Sequence, residues 1–239
     1  MPPLSVPGML GLRKRMESHH AGQTQEENMT VYETHETREE WLAHRDGHIG
    51  ASEAGAIIGV GFMSKMDLWD LKIGRAKQKD LSANPAVAYG NRAEDALRSL
   101  FMAKHPELTL EYRPYDFVYQ EERPWLRATL DGELTDSDGY KGILEIKTCT
   151  CQSKADWEKW KNRVPDGYLC QLSHQFLATG YDFAYLFAEL IGSDGNSVIR
   201  TYFFVRDEMQ ENMEYLLAEE EAFWHDVQTG RVPSAPLRI

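Results

Sequence analysis

The chain has 239 residues and a formal net charge of −12, from 26 lysines and arginines against 38 aspartates and glutamates. This length suits one large domain with a sizeable core. The acidic balance argues against a protein that coats nucleic acid over its whole surface, although it allows a local basic groove. No run approaches the roughly eighteen apolar residues of a membrane span, and the start MPPL lacks a secretory signal, so we expect a soluble, cytoplasmic protein without a membrane partner.

The cysteines, Cys149, Cys151 and Cys170, are odd in number and predict no disulfide framework. Two of them form a Cys-x-Cys pair, and the chain offers no fourth sulfur ligand. Structural zinc and iron–sulfur sites use about four ligands. We therefore expect no iron–sulfur cluster.

The chain divides into a tail and one domain. Residues 1–28 are polar and lack an apolar period, which is typical of a disordered tail, and residues 29–239 are predicted to form a single domain. The expected elements are a helix capped by Thr37, a short helix capped by Ser52, a helix from Ser64 to Gly74, a helix over 85–104, strands over 109–120, 125–134 and 143–149, a short helix from Ser153, a helix over 166–179, strands over 183–190 and 197–206, and a helix over 207–229. This order predicts an α/β fold with a central mixed sheet and helices on both faces.

The clearest chemical feature is the predicted hairpin of strands 125–134 and 143–149. A reversal centred near Asp138 would place Asp131 opposite Glu145, and Lys147 shares the face of Glu145 because side chains alternate along a strand. Two carboxylates a few ångströms apart repel each other, and a hard cation such as Mg²⁺ removes that repulsion. A solvated hairpin with ordinary surface charges is the alternative, since the Glu-x-Lys pattern is short and common.

Glu94 lies on a helix stripe that is otherwise small or apolar. A carboxylate on an inward face is costly unless it is paired or bound to metal. Glu94 is therefore a candidate third acidic group for the hairpin site, and a salt bridge to an arginine is the alternative.

Two other segments carry side chains suited to phosphate. Ser52 opens a short helix whose free N–H groups attract an anion, and Arg45 is near in sequence. Simple capping by Ser52 is the alternative. Gln171 and Gln175 lie one turn apart on a later helix, where an amide could bind a water or a phosphate, and ordinary exposure is the alternative.

Together these residues resemble the lambda-exonuclease and YqaJ-type viral recombinase branch of the PD-(D/E)XK nuclease superfamily, over about residues 38–232. The matching motifs are, in chain order, residues 41–45 (WLAHR), 49–53 (IGASE), 89–94 (YGNRAE), 128–132 (ATLDG), 144–147 (LEIK), 168–171 (YLCQ) and 179–180 (TG). Leu130 stands where the superfamily carries the proline of its name. Because that proline is not a ligand, the departure leaves the implied metal ligands unchanged.

The resemblance implies a metal site. Asp131 and Glu145 would be metal ligands together with the backbone carbonyl of Ile146, and Glu94 would add an acidic contact through water or a second ion. The expected ion is Mg²⁺, with Mn²⁺ as a substitute.

The resemblance also implies roles around the metal. Lys147 would orient or deprotonate the attacking water, and Gln171 would support that water or the attacked phosphate. Arg45 and Ser52 would bind the terminal phosphate of the DNA.

The implied activity is exonuclease digestion of double-stranded DNA ends, 5′-to-3′, in phage-type single-strand-annealing recombination inside a bacterial or phage-infected cell. The implied partners are DNA ends, further copies of the chain in a trimeric ring, and a single-strand annealing protein. Alternatives are another PD-(D/E)XK nuclease, Cas4-like or restriction-type, and a non-catalytic DNA-end-binding module. The cysteine count disfavours a Cas4-like enzyme. An end-binding module has no need of Glu145 or Lys147, and both are present.

Overall fold

The computed structural model of the protein describes residues 29–81 and 83–234. The predicted tail, residues 1–28, lies outside these residues, so its disorder and the domain boundary at residue 29 stay predictions. The helices are α1 (Arg38–His44), α2 (Ala54–Ile57), α3 (Lys65–Lys72), α4 (Pro85–Lys104), α5 (Lys154–Glu158), α6 (Asp166–Thr179) and α7 (Gln210–Thr229). The strands are β1 (Thr30–Thr34), β2 (Ile49–Gly50), β3 (Thr109–Glu111), β4 (Asp116–Gln120), β5 (Leu126–Arg127), β6 (Gly132–Thr135), β7 (Lys141–Cys151), β8 (Phe183–Gly192) and β9 (Ser197–Val205).

The main sheet has five strands in the order β3-β6-β7-β8-β9. Its pairs are antiparallel except β7 and β8, which run parallel and are joined through α5 and α6. Two small pairs, β1 with β4 and β2 with β5, lie apart from this sheet. The predicted α/β fold with a central mixed sheet is confirmed.

The core has a layer on each face of the sheet. On one face, Ile143 of β7 packs with Leu172 and Phe176 of α6. On the other face, Leu144 and Ile146 of β7 join a cluster with Leu97 and Phe101 of α4. This alternation turns Glu145 and Lys147 toward the α6 side, as the two-residue period of a strand requires. Among the described residues, no helix combines the length and the apolar character that crossing a bilayer requires.

Two predicted strands are each divided in the structure. The segment 109–120 forms β3 and β4, which belong to different sheets, because Tyr115 adopts the left-handed region at φ 67° and redirects the chain. The segment 125–134 forms β5, which pairs in parallel with β2, and β6, which pairs with β7. A local apolar pattern identifies extended chain but does not reveal where a strand changes its partner. Both predictions of one continuous strand were therefore wrong.

A buried ion pair connects α6 to α7. His174 and Glu220 are both fully buried, with 2.7 Å between Nδ1 and Oε1. The other ring nitrogen of His174 lies 2.8 Å from the carbonyl oxygen of Arg127 on β5. Burial disfavours the charged imidazole, but the Glu220 carboxylate outweighs burial and raises the pKa of His174. The pair therefore fixes α6 against both α7 and β5.

Replacing Glu220 with Gln should destabilise the fold by about 3–5 kcal/mol, because one member of a buried ion pair loses its partner. Since folding raises the pKa of His174, the pair contributes fully below the ordinary histidine pKa of about 6.5, and the contribution is lost as pH rises through the higher folded value. Urea unfolding should therefore show a larger deficit for Glu220→Gln at about pH 5.5 than at about pH 9.

Glu221→Gln is the matched control, because Glu221 is the exposed neighbour on the same helix. It should unfold like the wild type at both pH values. A deficit for Glu220→Gln that does not change with pH would contradict a charged pair.

Candidate active site

The hairpin of β6 and β7 brings Asp131 and Glu145 together. The register pairs Gly132 with Leu144 and Thr135 with Lys141, so the next position places Asp131 opposite Glu145, and the reversal centres on residue 138 as predicted. The side chain of Asp131 accepts a hydrogen bond at 2.7 Å from the backbone N–H of Ile146. The hydrogen-bond ladder between β6 and β7 therefore ends at Ile146, whose N–H donates to a carboxylate and not to a backbone carbonyl.

Both oxygens of Glu145 are held by neighbouring side chains. Glu145 is only 2% exposed. From α6, Gln171 donates to its Oε1 at 2.6 Å and Gln175 donates to its Oε2 at 2.5 Å. The ammonium of Lys147 forms an ion pair with Oε1. Sequence reasoning grouped the two glutamines on one stripe but not with Glu145, because their contact joins residues 26 and 30 positions apart in the chain.

The charges of the site affect one another through this proximity. Burial, and then the negative charge of Glu145, raise the pKa of Asp131 well above its ordinary value, while Lys147 opposes the shift. Burial disfavours the charge on Lys147, but Glu145 and Asp131 outweigh it and raise the pKa of that ammonium. The site therefore gathers negative charge that a cation relieves, and one cation is already Lys147.

Arg98 of α4 is a residue of the site that sequence reasoning missed. Its guanidinium is buried, donates at 2.5 Å to Glu94 and also pairs with Asp95. Its Nε donates at 2.7 Å to the backbone carbonyl of Asp131. Arg98 follows Glu94 by four residues on the helix, a spacing at which side chains meet, so the sequence did contain a sign of this pair.

The salt-bridge alternative for Glu94 is therefore present in the structure. Burial raises the pKa of Glu94, although the neighbouring Arg98 pulls in the opposite direction, and the charge of Glu145 adds to the rise. Glu94 thus lies within the field of the hairpin site while its carboxylate is bound to Arg98. Its contact with a metal through water stays a prediction.

The segment from Arg45 to Glu53 is held by a buried lysine. Lys72 of α3 is 1% exposed in its side chain and lies 2.8 Å from the Glu53 carboxylate, and its ammonium donates to the carbonyl of Arg45 at 3.1 Å. Glu53 in turn accepts the backbone N–H of Gly50 at 2.8 Å. The predicted cap at Ser52 is wrong, because Gly50 occupies the N-cap position and Ser52 lies inside the short 3₁₀ helix Ala51–Glu53.

Arg45 and Ser52 make no direct polar contact with the two carboxylates in the described part of the chain. Ser52 is exposed, and the guanidinium of Arg45 lies over the ring of Trp41 at 4.9 Å. Within the described part of the chain, neither residue has a hydrogen bond or ion pair with Asp131, Glu145 or Lys147. Their predicted contact with a DNA phosphate stays a prediction.

The oxygen atoms at the hairpin fit a hard divalent ion. Among the residues that the structure describes, no group of three or more His, Cys, Asp and Glu side chains could hold a metal, so the side chains offer two carboxylates, Asp131 and Glu145. The N–H and C=O of one strand residue point to the same side. The carbonyl of Ile146 therefore faces the edge where its N–H meets Asp131 and where pairing with β6 has ended. Two carboxylates and a carbonyl are the oxygen donors that Mg²⁺ and Mn²⁺ accept.

Comparison with known sequences assigns the chain to a protein family. A family model described as the YqaJ-like viral recombinase domain matches residues 40–182. An uncharacterized protein, YqaJ of Bacillus subtilis (strain 168), is 28% identical over 208 residues, a match that covers 83% of this chain and 59% of that protein. The chain thus spans 59% of the length of this relative.

Comparison with solved structures shows the fold. An alkaline exonuclease, LHK-Exo from Laribacter hongkongensis, matches with a TM-score of 0.58 at 16% identity, over 81% of this chain and 94% of that one. The structure of LHK-Exo in complex with dAMP also gives 0.58, at 17% identity and the same coverage. Since the family model covers more than half of the chain, the chain belongs to the YqaJ-like viral recombinase family, as its motifs indicated.

Proposed function

We propose that this chain is a metal-dependent exonuclease that hydrolyses phosphodiester bonds from the ends of double-stranded DNA. The observation that carries the proposal is the meeting of Asp131, Glu145 and Lys147 at the end of the β6–β7 ladder. Family membership supports it. So does the common fold with an alkaline exonuclease that binds dAMP, a nucleoside monophosphate of the kind that an exonuclease releases.

Asp131, Glu145 and the carbonyl of Ile146 would hold the ion. A bound Mg²⁺ or Mn²⁺ would lower the pKa of a coordinated water and polarise the phosphate. Gln171 and Gln175 fix the orientation of the Glu145 carboxylate through one hydrogen bond to each oxygen. Arg98 fixes the backbone of Asp131 from the other side of the sheet. The two carboxylates are thereby positioned before DNA arrives, which is where most of the benefit of electrostatic catalysis lies.

Lys147 is the group that acts on the reacting atoms. Its ammonium lies against Glu145 and over the ring of Tyr168, 5.2 Å from the ring centre. A phosphate attacked beside Glu145 gains negative charge on its oxygens, and Lys147 is close enough to orient the water and to stabilise that charge.

The wider biological setting of the proposal rests on family likeness. It comprises digestion in the 5′-to-3′ direction, a trimeric ring of copies around the duplex, and a single-strand annealing protein as partner in phage-type recombination. The acidic net charge of −12 is consistent with a protein that concentrates its lysines and arginines where the DNA passes.

One assay tests the proposal directly. The protein is incubated with linear and circular duplexes labelled at either end, with Mg²⁺ or with EDTA. Loss of linear DNA alone, and only with metal, is expected, and the 5′ label should be released first. Cleavage of circular DNA would identify an endonuclease, and binding of ends without cleavage would identify an end-binding module.

Lys147→Ala should lower turnover by about a hundredfold or more, the scale of losing one group that stabilises the transition state. DNA affinity and thermal stability should change far less, as measured by fluorescence anisotropy and thermal unfolding. Lys161→Ala, which removes an exposed lysine after α5, is the control and should keep full activity. Unchanged turnover in Lys147→Ala would remove this residue from the mechanism.

Glu94→Gln should slow metal-dependent cleavage, because Glu94 lies within the field of Glu145. Asp95→Asn is a close control, since Asp95 binds the same arginine but is exposed. Initial rates should be measured over a series of Mg²⁺ concentrations, where Glu94→Gln should require more metal and Asp95→Asn should behave like the wild type. If both variants changed only the unfolding temperature, Glu94 would serve its ion pair alone.

Arg45→Ala should selectively slow the digestion of 5′-phosphorylated ends, because the side chain that is predicted to bind the terminal phosphate is lost while Lys72 still holds the backbone of the segment. Rates on phosphorylated and unphosphorylated duplexes are compared for each variant. Arg75→Ala, an exposed arginine beyond α3, should slow neither substrate selectively. Equal slowing of both substrates by Arg45→Ala would contradict a role in phosphate binding.

A further inference from the structure

Phe62 is presented to solvent in an unusual way. Its side chain is 93% exposed, the largest exposed fraction of any large apolar residue in the described ranges. Both faces of the ring are therefore open to water. Burying a phenylalanine side chain is normally favourable by about 1.5–3 kcal/mol. Phe62 does not contribute this free energy to the described fold.

The loop that carries Phe62 is firmly packed. The N–H of Val60 donates at 2.8 Å to the carbonyl of Gly55 on α2. A Cβ added at Gly61 would lie 2.5 Å from the backbone nitrogen of Ala56, and one added at Gly167 on α6 would lie 3.0 Å from the carbonyl oxygen of Val60. The backbone of the loop therefore rests directly on two helices, and only glycine allows that approach. The packed loop therefore holds Phe62 in a fixed, exposed position.

Tyr168 connects that position to Lys147, the proposed catalytic group. The ring centre of Phe62 lies 6.3 Å from that of Tyr168, and the ring centre of Tyr168 lies 5.2 Å from the ammonium of Lys147. The hydroxyl of Tyr168 contacts the sulfur of Cys149 at 3.2 Å, which fixes the tyrosine ring against β7. Since stacked bases follow one another at about 3.4 Å, Phe62 lies within a few nucleotides of a phosphate held at Lys147.

We propose that Phe62 forms, with Tyr168 behind it, a stacking subsite for one nucleobase of the strand being degraded. The inference rests on the proposed function, because it needs DNA at the Lys147 site. An isolated aromatic ring with open faces suits a nucleobase, since every base has a π-face. Removing an aromatic side chain on which a base stacks weakens nucleic-acid binding by about tenfold or more. Gly59 and Gly61 add no side chain to the loop, and between them Val60 is exposed to 41%. Phe62 and Val60 together form a small apolar surface, below the several hundred Å² that mark a protein interface.

The test is a cycle of changes in protein and DNA. Linear duplexes carrying a single abasic nucleotide at each of the first few positions are digested by wild type and by Phe62→Ala in Mg²⁺. At one position the missing base should lower kcat/KM for the wild type by about tenfold, Phe62→Ala should lose about as much on intact DNA, and the two losses should not add. Phe62→Trp should restore the wild-type rate on intact DNA, and Phe62→Leu should not.

Two further measurements separate stacking from damage to the fold. Thermal unfolding should be unchanged in Phe62→Ala, because the side chain is exposed. A 2-aminopurine base at the sensitive position should lose fluorescence on binding to the wild type and keep it on binding to Phe62→Ala. Losses that add, or a Phe62→Ala variant as active as the wild type, overturn the subsite alone. A wild-type protein that neither binds nor cleaves linear DNA overturns the proposed function and the subsite with it.

Discussion

The structure depends on two carboxylates that lie opposite each other at the end of the paired strands β6 and β7. The pairing of Gly132 with Leu144 makes Asp131 and Glu145 neighbours, and the N–H of Ile146 fastens the first of them in place. Burial and mutual repulsion raise the pKa of Asp131, so this arrangement costs free energy in the absence of a cation. The surrounding amides and the ammonium of Lys147 offset part of that cost with hydrogen bonds and opposite charge. Stability alone would favour apolar residues at these buried positions. Buried charges that are costly to assemble, and that hydrogen bonds nevertheless hold in place, are typical of a functional site.

Sequence reasoning found the parts of this site that depend on local periodicity. The two-residue alternation of β7 placed Glu145 and Lys147 on one face, and the turn chemistry of 135–142 set the register that brings Asp131 opposite. The fold class followed from the order of helices and strands. These features succeed because each is decided by residues close together in the chain.

The missed features depend on contacts between distant residues. Gln175 reaches Glu145 only after α6 has packed on the sheet, and Lys72 reaches Glu53 and the carbonyl of Arg45 only after α3 has packed beside them. The pair of His174 with Glu220 joins residues that are 46 positions apart, on two different helices. Likewise, the change of partner between β5 and β6 leaves no mark on the apolar pattern. In each case the side chain type is common, and only the tertiary fold gives it a specific role.

Helix α6 explains how these separate contacts act as one unit. One face of it supplies the amides that hold Glu145, and another carries His174 toward α7 and β5. At its beginning, Gly167 admits the backbone of the loop that presents Phe62, and Tyr168 packs between that loop and Lys147. A displacement of α6 would therefore disturb the contacts of Glu145, of Lys147 and of the loop that carries Phe62 at the same time. The buried ion pair at His174 has a functional consequence for this reason: by fixing the helix, it fixes the distance between the place where a phosphate would be attacked and the place where its base would stack.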